Sequence, residues 1–432
     1  MDILSVIGEE VKEILSDVVD VESVSLETLE SEILRVSREL GRRALEACLS
    51  HRADVVEVCD EEKSCDVCGG SLRRCQKRRR YVETLCGVVR VSRWEYRCDN
   101  GRSYIPWDVN EGVEEGYTKG VAETMCRLSA RLDYREAALE LKHHGIRVSH
   151  TTLQKKVQRW VCGKSVSDSV SPQSLAEGSR WYVSCDGVHT NSPEGWKEVK
   201  VGCLYTDRAT EQSPGVLCAA EPSSLRYVAS ASDAETFGKA WFALATASGI
   251  YQDETDTEEV VVIGDGAAWI WNLSEEYFPG AVEIIDYMHA KEHLYSVAKQ
   301  VYGEGETARD RVESWVKVTE TFLYAGDIQE VVARIQGLGI GIPEFSEILR
   351  KAANYFLKHA KRMRYKYFQE NGYHIGSGVI ESACKHVVAE RCKQAAMKWT
   401  REGINAILFW RCLLKNGTWE AFWKPEGFQK AA

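Results

Sequence analysis

The sequence predicts an α/β core domain that is preceded by helical and β-rich segments. Two short apolar runs, Val260–Ile263 and Ala281–Ile285, have the length and the composition of buried strands. A segment with helical periodicity follows each run, so the order strand, helix, strand, helix predicts parallel strands joined by helical crossovers. Each run ends on a carboxylate, Asp265 or Asp286. Open α/β sheets bind ligands at the carboxyl ends of their strands, so we expect the chemistry there.

The composition is typical of a globular protein of two or three domains. The chain has 432 residues, 44% hydrophobic and 28% charged, with a net charge of −10. This acidic balance argues against coating nucleic acid through bulk charge, but local clusters of lysine and arginine still allow a DNA partner. We expect no membrane segment and no signal peptide, and hence a cytoplasmic protein whose 15 cysteines are mostly reduced.

Residues 1–58 are predicted to be helical. Apolar residues recur at spacings of three and four through VKEILSDVV and ETLESEILRVSRELGRRALEACL. In the second run the acidic residues come early and the arginines late, which suits the helix dipole. The pattern indicates an amphipathic helix for packing or dimerisation, without chemistry of its own.

Residues 59–110 are predicted to form a β segment that is similar to a zinc knuckle. Cys65 and Cys68 form a CxxC followed by glycines, a turn that aims two thiolates at one ion. Cys98 follows a strand-like run, but no second CxxC forms there. We expect Zn²⁺ at these three cysteines, and a β-hairpin with free thiols is the alternative. Two further cysteines are candidates for the fourth ligand: Cys75 and Cys86.

The basic run in this segment is predicted to contact DNA. Lysines and arginines cluster from Arg73 to Arg80, and aromatic residues are interleaved with the arginines that follow. This pattern is typical of contacts to phosphate, and a solvated charged hairpin is the alternative. The expected DNA-binding residues are Arg78, Arg79 and Arg80.

Residues 111–165 are predicted to contain a helix-turn-helix. An apolar-periodic helix ends at His144-Gly145, and Ser149 can cap a second helix with polar and basic side chains. In a helix-turn-helix the second helix enters a groove of DNA, although helix pairs with a glycine turn also occur as plain packing. The expected DNA contacts on this helix are Thr151, Thr152, Lys155, Lys156 and Arg159.

A serine-rich linker leads to the first part of the core, residues 180–295. Strands are predicted at Trp181–Cys185, at Trp196–Thr206 and around residues 215–220, before the helix that leads to Val260. The order is therefore three strands, a helix, a strand, a helix and a strand. Helical segments follow in residues 296–373, and residues 374–432 contain a helix start flanked by glycines and an aromatic tail.

Three carboxylates are the candidate catalytic residues: Asp186 after the first strand, Asp265 after the fourth, and Glu381 at the late helix start. A single Asp-Gly is usually a turn, but two at strand ends together with this glutamate indicate a metal site. Mg²⁺ and Mn²⁺ prefer oxygen ligands. Two such ions, ~3.5–4 Å apart, can align an attacking and a leaving oxygen for phosphoryl transfer.

The strand order is similar to that of the ribonuclease H-like fold of DDE transposases. The stretches SCDGVHT, GDGAAWIWN, FP, IIDYMHAKEHL and GSGVIESACKHVVAERCKQAAMKW resemble ISKra-type insertion-sequence transposases. The resemblance covers the chain from about Cys65 to Trp423. It implies an α/β ribonuclease H-like catalytic core with an all-helical insertion at residues 296–373. It also implies a DDE transposase that binds element-end DNA and catalyses metal-dependent strand cleavage and transfer.

The resemblance further assigns residues and partners. It implies that Asp186, Asp265 and Glu381 are the DDE metal ligands for two Mg²⁺ or Mn²⁺ ions, and that Asp286 and His289 support the site as a D-x-x-H pair. The expected partner is double-stranded DNA, from element ends and target, and a homo-oligomer is expected because two ends must be joined. One departure is that the family's second cysteine pair is reduced here to a single cysteine.

Two other functions are alternatives. His289, Glu292 and His293 match H-x-x-E-H, in which two histidines on one helix face bind Zn²⁺ and the glutamate is the base of a metallopeptidase. No third ligand with supporting context follows, and a packed histidine pair also explains the pattern. The second alternative is a catalytically inactive, transposase-derived DNA-binding protein.

Overall fold

The computed structural model describes residues 25–55, 64–65, 68–173, 175, 179–207, 220–251, 259–338 and 346–424. The chain divides into two compact units, Met1–Trp160 and Val161–Ala432. In the described ranges, no helix has the length and apolar character needed to cross a bilayer.

In the described part of the first unit, a long helix, Leu26–Val55, packs on an antiparallel sheet. Leu49 and Ala53 of the helix are buried against Val82, Val89 and Val91 of the first two strands. The predicted N-terminal helix is therefore present from Leu26, while residues 1–24 lie outside the described part. The elements are α1 (Leu26–Val55), β1 (Leu72–Thr84), β2 (Gly87–Cys98) and β3 (Ser103–Tyr104).

Four helices complete the first unit, and the last two have the predicted helix-turn-helix order. The Asp133 carboxylate caps the first of this pair, and Ser149 Oγ accepts the Thr152 N–H at 3.1 Å to cap the second. Between them Gly145 has φ +84°, a conformation that favours glycine. The helices are α2 (Pro106–Asn110), α3 (Lys119–Ser129), α4 (Tyr134–His143) and α5 (His150–Arg159).

The second unit is built on a mixed five-stranded sheet with the order β6-β5-β4-β7-β8. Strand β5 is antiparallel to both of its neighbours, whereas β4, β7 and β8 are parallel, so the predicted α/β core is confirmed. The strands are β4 (Trp181–Ser192), β5 (Gly195–Thr206), β6 (Arg226–Ser230), β7 (Val260–Gly264) and β8 (Val282–Ile285).

The third strand of the described sheet lies later in the chain than the strand predicted around residues 215–220. Residues 215–219 of the predicted strand lie outside the described part, and Ala220 forms an isolated bridge to Asp207. The third strand of the sheet is β6, with the sequence RYVAS, in which Val228 is the buried residue. A short edge strand with one buried side chain gives almost no alternating apolar pattern, so the sequence does not indicate β6, and the strand predicted around residues 215–220 is not tested by the described residues.

Helices cover both faces of this sheet. Helix α6 approaches β5 so closely that a Cβ on Gly202 would lie 2.6 Å from the Trp241 ring, whereas α13 packs against β4 and β5 from the other face. The described part of residues 296–373 is helical, as predicted. The helices are α6 (Ala234–Ser248), α7 (Ala268–Tyr277), α8 (Tyr287–Tyr302), α9 (Glu306–Ala325), α10 (Ile328–Gly337), α11 (Ser346–His359), α12 (Tyr365–Glu370), α13 (Gly378–Ala383), α14 (Glu390–Cys392), α15 (Arg401–Lys415) and α16 (Trp419–Phe422).

Candidate functional site

Asp186 lies in the middle of β4, and Asp265 directly follows β7, the neighbouring parallel strand, at the same level. The predicted first strand, Trp181–Cys185, therefore does not end before Asp186 but continues to Ser192. Ser184 of β4 pairs with Ile263 of β7, and two residues further along each chain come the two aspartates. Residues two apart share a face, and neighbouring strands are ~4.8 Å apart, so the two carboxylates are neighbours on one face of the sheet. Burial raises the pKa of Asp186, and the negative charge of Asp265 raises it further.

Each of these carboxylates accepts one backbone hydrogen bond. The Gly187 N–H donates to Asp186 Oδ1 at 2.7 Å, and the Ala267 N–H donates to Asp265 Oδ1 at 2.7 Å. Among the described residues, no lysine or arginine forms an ion pair with either carboxylate, and none does so with Glu381. The negative charge of these three carboxylates is therefore not neutralised by the described lysine and arginine side chains.

Cys384 connects the Glu381 helix to Asp186. Glu381 and Cys384 are three residues apart and so share one face of the helix. Cys384 Sγ lies 3.6 Å from Asp186 Oδ2, and burial together with the charges of Asp186 and Glu381 raises the pKa of this thiol. Glu381 itself is exposed and lies 3.3 Å from the Ser377 hydroxyl. The helix is thus docked on β4 through Cys384, and Glu381 lies one helical turn before that contact.

The three carboxylates do not converge on a single point. In the described part of the chain, three potential metal ligands have their ligand atoms within 4.8 Å of one another at the cysteines of the first unit. Asp186, Asp265 and Glu381 do not form such a group. At least one pair among Asp186, Asp265 and Glu381 is therefore wider than this distance. Such spacing does not suit one ion bound by all three carboxylates.

Asp286 has a structural position beside the pair. It follows β8, and its N–H donates to the Gly264 carbonyl at 2.9 Å. Its Oδ1 accepts the His289 N–H and so caps α8, and its Oδ2 accepts the Ser377 N–H, both at 2.5 Å. Because both oxygens bind backbone donors and the residue is 3% exposed, Asp286 holds the segment before Glu381 against the strand ends.

A stacked histidine fixes the same segment to the sheet. The His374 ring lies over Tyr182 with centroids 4.4 Å apart, and the His374 N–H donates to the Tyr182 hydroxyl at 3.2 Å. Burial, with a smaller effect of the Arg180 charge, lowers the pKa of His374 to about 4. This imidazole is therefore neutral at pH 7 and acts as a packing group.

Beyond Glu381 the helix widens into a π-helical stretch, Cys384–Ala389, whose carbonyls are bound by a buried arginine. Arg411 of α15 is 4% exposed. Its Nε donates to the Val387 carbonyl at 2.5 Å, and its Nη2 donates to the His386 carbonyl and to Glu390. π-helical turns are frequent at functional sites. Here the guanidinium satisfies backbone groups of the turn and so supports the helix that carries Glu381.

The roles of Cys384 and Arg411 at the site are not predicted from the sequence. The spacing of three residues from Glu381 is the one signal that could have indicated Cys384. Arg411 carries no comparable local signal, because its partners are carbonyls more than twenty residues away.

The histidines of α8 lie near the aspartates without forming a three-ligand zinc site in the described part. The rings of His289 and His293 are 5.5 Å apart, and His293 stacks on Tyr355 at 4.0 Å. The charge of His289 acts on Asp186, which places the imidazole near that carboxylate. Glu292 is mostly exposed. The H-x-x-E-H interpretation therefore gains no third ligand from the described residues.

The three predicted zinc ligands come together in the first unit. The sulfur atoms of Cys65, Cys68 and Cys98 all lie within 4.8 Å of one another. The Gly69 N–H donates to the Cys65 carbonyl at 2.7 Å, which closes the turn of the CxxC. Cys86 lies at the opposite end of the β1–β2 hairpin, ~40 Å away at the rise of a strand, so it cannot supply a fourth thiolate.

Two of the three arginines predicted to bind DNA have acidic partners. Arg78 pairs with Glu95 at 2.5 Å, and Arg80 pairs with Asp108 at 2.6 Å. Arg79 lies between them in sequence and points to the opposite face, because side chains alternate along a strand. The run is therefore divided between two faces of the hairpin and does not form the single basic patch that the sequence indicated.

On α5, the second helix of the helix-turn-helix, some of the predicted DNA-binding side chains also have acidic partners. Lys156 and Arg159 both pair with Glu115, Arg159 at 2.5 Å, so their charge is partly neutralised. Thr152 is half-buried at the helix start. Thr151 and Lys155 remain exposed and are the residues most available to a partner.

Comparison with known proteins gives one family match. A model described as "Uncharacterised protein family (UPF0236)" matches residues 20–424. No curated protein matches the sequence.

Proposed function

We propose that this chain, which belongs to the uncharacterised protein family UPF0236, is a DDE transposase that cleaves and joins DNA strands. One observation carries the proposal. Asp186 in the middle of β4 and Asp265 directly after β7 are neighbours on one face of the sheet, and the Glu381 helix is docked on Asp186 through Cys384. The family is commonly found among insertion-sequence-associated proteins, which supports the same function.

The topology of the second unit also supports the proposal. Its sheet has the order β6-β5-β4-β7-β8 with β5 antiparallel, which is similar to the ribonuclease H-like fold. In the sequence, helices α9 to α12 lie between strand β8 and the Glu381 helix, where the resemblance implies an all-helical insertion.

The donor set fits two Mg²⁺ or Mn²⁺ ions. Asp186, Asp265 and Glu381 offer carboxylate oxygens, the ligands that these hard cations prefer, and form no ion pair with the described cationic side chains. When bound, such ions activate a water or a 3′-hydroxyl and stabilise the leaving oxygen. In this proposal Asp286 positions the segment before Glu381, and the half-buried His289 on α8 is a supporting residue of the site.

The first unit would bind the DNA. Thr151 and Lys155 are exposed on α5, the helix that a helix-turn-helix presents to a groove. A Zn²⁺ ion at Cys65, Cys68 and Cys98 would stabilise the end of the hairpin. A homo-oligomer that joins two element ends, located in the cytoplasm and on the nucleoid, completes the proposal.

A strand-transfer assay tests this function. The full chain is incubated with labelled candidate end DNA and Mn²⁺, with and without EDTA. Loss of an outer-shell residue of a metal site already costs ~10–100-fold, so Asp265→Asn is expected to reduce product by at least ~100-fold. Glu292→Gln, a neutralising change at an exposed residue of α8, is the matched control and should retain activity.

The outcomes separate the alternatives. A parent that binds end DNA but gives no product with Mn²⁺ supports the inactive DNA-binding protein. Peptide hydrolysis with Zn²⁺ that Glu292→Gln abolishes supports the metallopeptidase. Equal strand transfer by the parent and Asp265→Asn refutes the assigned site.

A further inference from the structure

The β1–β2 hairpin has two faces with different partners. On one face Arg78 pairs with Glu95 and Arg80 pairs with Asp108. Val82 continues that face and is fully buried in the core under α1. The cations of this inner face are therefore occupied by the fold itself.

The outer face carries arginines without acidic partners. The register pairs Arg79 with Ser92 and Tyr81 with Arg90, so these residues share the face opposite to Val82. Arg79 and Arg90 are exposed, and Tyr81 is 68% exposed. Within the described ranges, neither arginine forms an ion pair. Lys77 and Trp94 extend the face towards the cysteine end, where Lys77 pairs with Asp54.

The spacing of the two arginines suits a nucleic-acid backbone. Arg79 and Arg90 are diagonal neighbours across the two strands, a separation of ~7–8 Å between their attachment points. Two nucleotide steps along one DNA strand cover ~7 Å of the helix axis. The two guanidinium groups can therefore reach separate phosphates, and Tyr81, between them, can donate its hydroxyl to the same backbone.

This face is connected to the helix-turn-helix within the same unit. Glu83 follows Tyr81 on the outer face and is half-buried; burial raises the pKa of its carboxyl, and the nearby backbone of Arg147 lowers it by a smaller amount. The Arg147 side chain lines a groove of about 760 Å³ beside the start of α5. Three other basic residues line the same groove: Arg135, Lys142 and His150. The hairpin face and the groove are thus two basic surfaces of the same unit, and Glu83 and Arg147 lie between them.

We propose that the outer face of the hairpin, centred on Arg79, Tyr81 and Arg90, is a second duplex-DNA contact beside the helix-turn-helix. The face binds the phosphate backbone and contributes affinity without sequence preference, whereas α5 provides the contacts to bases. The inference rests on the proposed function for the identity of the duplex, an element end. It goes beyond that function by assigning a contact surface and by excluding Arg78 and Arg80 from it.

The test measures binding of the full chain to fluorescent duplexes by anisotropy over a range of salt concentrations, in EDTA to prevent cleavage. One duplex is a candidate element end, and the other is unrelated in sequence. The variant is Arg79→Gln with Arg90→Gln. The control, Arg35→Gln with Arg309→Gln, removes the same charge from exposed residues that pair with acids on their own helices.

The expected result follows from counterion release. Each lost phosphate contact reduces the magnitude of the negative slope of log K against log salt by ~0.9. The slope of the double variant should therefore be less steep than that of the parent by nearly 2. At 0.1 M salt this corresponds to ~60-fold weaker binding, by a similar factor for both duplexes. The control should match the parent, and the thermal unfolding of all proteins should coincide.

The outcomes distinguish this inference from the proposed function. An unchanged slope in the double variant, with a parent that binds DNA, overturns the hairpin contact alone. A parent that binds neither duplex overturns the proposed function as well. Unchanged DNA binding with a lower oligomeric mass in the double variant assigns the face to a protein interface and also overturns the inference.

Discussion

Replacing Asp265 by asparagine should stabilise the metal-free protein. Asp265 lies beside Asp186 on the next parallel strand, and its charge raises the pKa of Asp186 in addition to the larger effect of burial. Asparagine removes the repulsion between the two carboxylates. Its Oδ1 can still accept the Ala267 N–H that Asp265 accepts at 2.7 Å, so the turn after β7 is retained.

The size of the effect follows from the spacing of the strands. Two charges ~6 Å apart repel by ~0.7 kcal/mol in water and by ~3 kcal/mol at an effective dielectric constant of 20. Asp186 is partly buried, so we expect a gain of about 1–2 kcal/mol in the free energy of unfolding. For a unit of this size each kcal/mol raises Tm by ~2–4 °C.

Divalent metal should reverse the order of stability. At a Mn²⁺ concentration of 100 times Kd, binding stabilises the parent by ~2.7 kcal/mol, whereas Asp265→Asn has lost one ligand and should gain much less. Thermal unfolding followed by near-UV circular dichroism, in EDTA and in Mn²⁺, measures both effects, with Glu292→Gln as the control. A variant that is no more stable than the parent in EDTA and gains as much from Mn²⁺ refutes the reasoning.

Three further results are expected. Arg411→Met should lower the free energy of unfolding by ~3 kcal/mol or more in urea titrations, because buried carbonyls lose their donors; a loss below ~1 kcal/mol contradicts this support. The free energy of unfolding of the second unit should fall as the pH is lowered from 6.5 towards 4, because His374 has a lower pKa in the folded protein than in the unfolded chain. His374→Phe should reduce this pH dependence by up to roughly 3 kcal/mol. An equal pH dependence of the parent and the variant contradicts the assignment. Cys68→Ser should abolish bound zinc, measured by atomic absorption, while Cys86→Ser, ~40 Å from the site along the hairpin, should retain it, and equal zinc in the two variants contradicts the site.

The sequence predicted the parts of the site that depend on local pattern. The first five residues of β4 and the whole of β7 are buried, mostly apolar runs because both faces of the sheet are covered there, and Asp186 and Asp265 follow from where those runs stop, although β4 itself continues to Ser192. The order of strands and helices followed from the same periodicities. The edge strand β6 was not predicted, because a half-buried strand of five residues leaves little pattern to detect.

Features that depend on tertiary contacts could not be predicted in this way. The basic run from Arg78 to Arg80 has the composition of a DNA-binding patch, but the pleat sends alternate side chains to opposite faces and acids neutralise two of them. Glu95 is close to them in space through strand pairing, although it is distant in the sequence. Arg411 likewise binds a helix that no local signal connects to it.

The most direct measurement is anomalous diffraction at the manganese edge from crystals of the full chain soaked in Mn²⁺. The account predicts density that contacts both Asp186 and Asp265, with a second peak towards Glu381. Manganese bound elsewhere, for example at His289 and His293, with no density between the two aspartates, would contradict it.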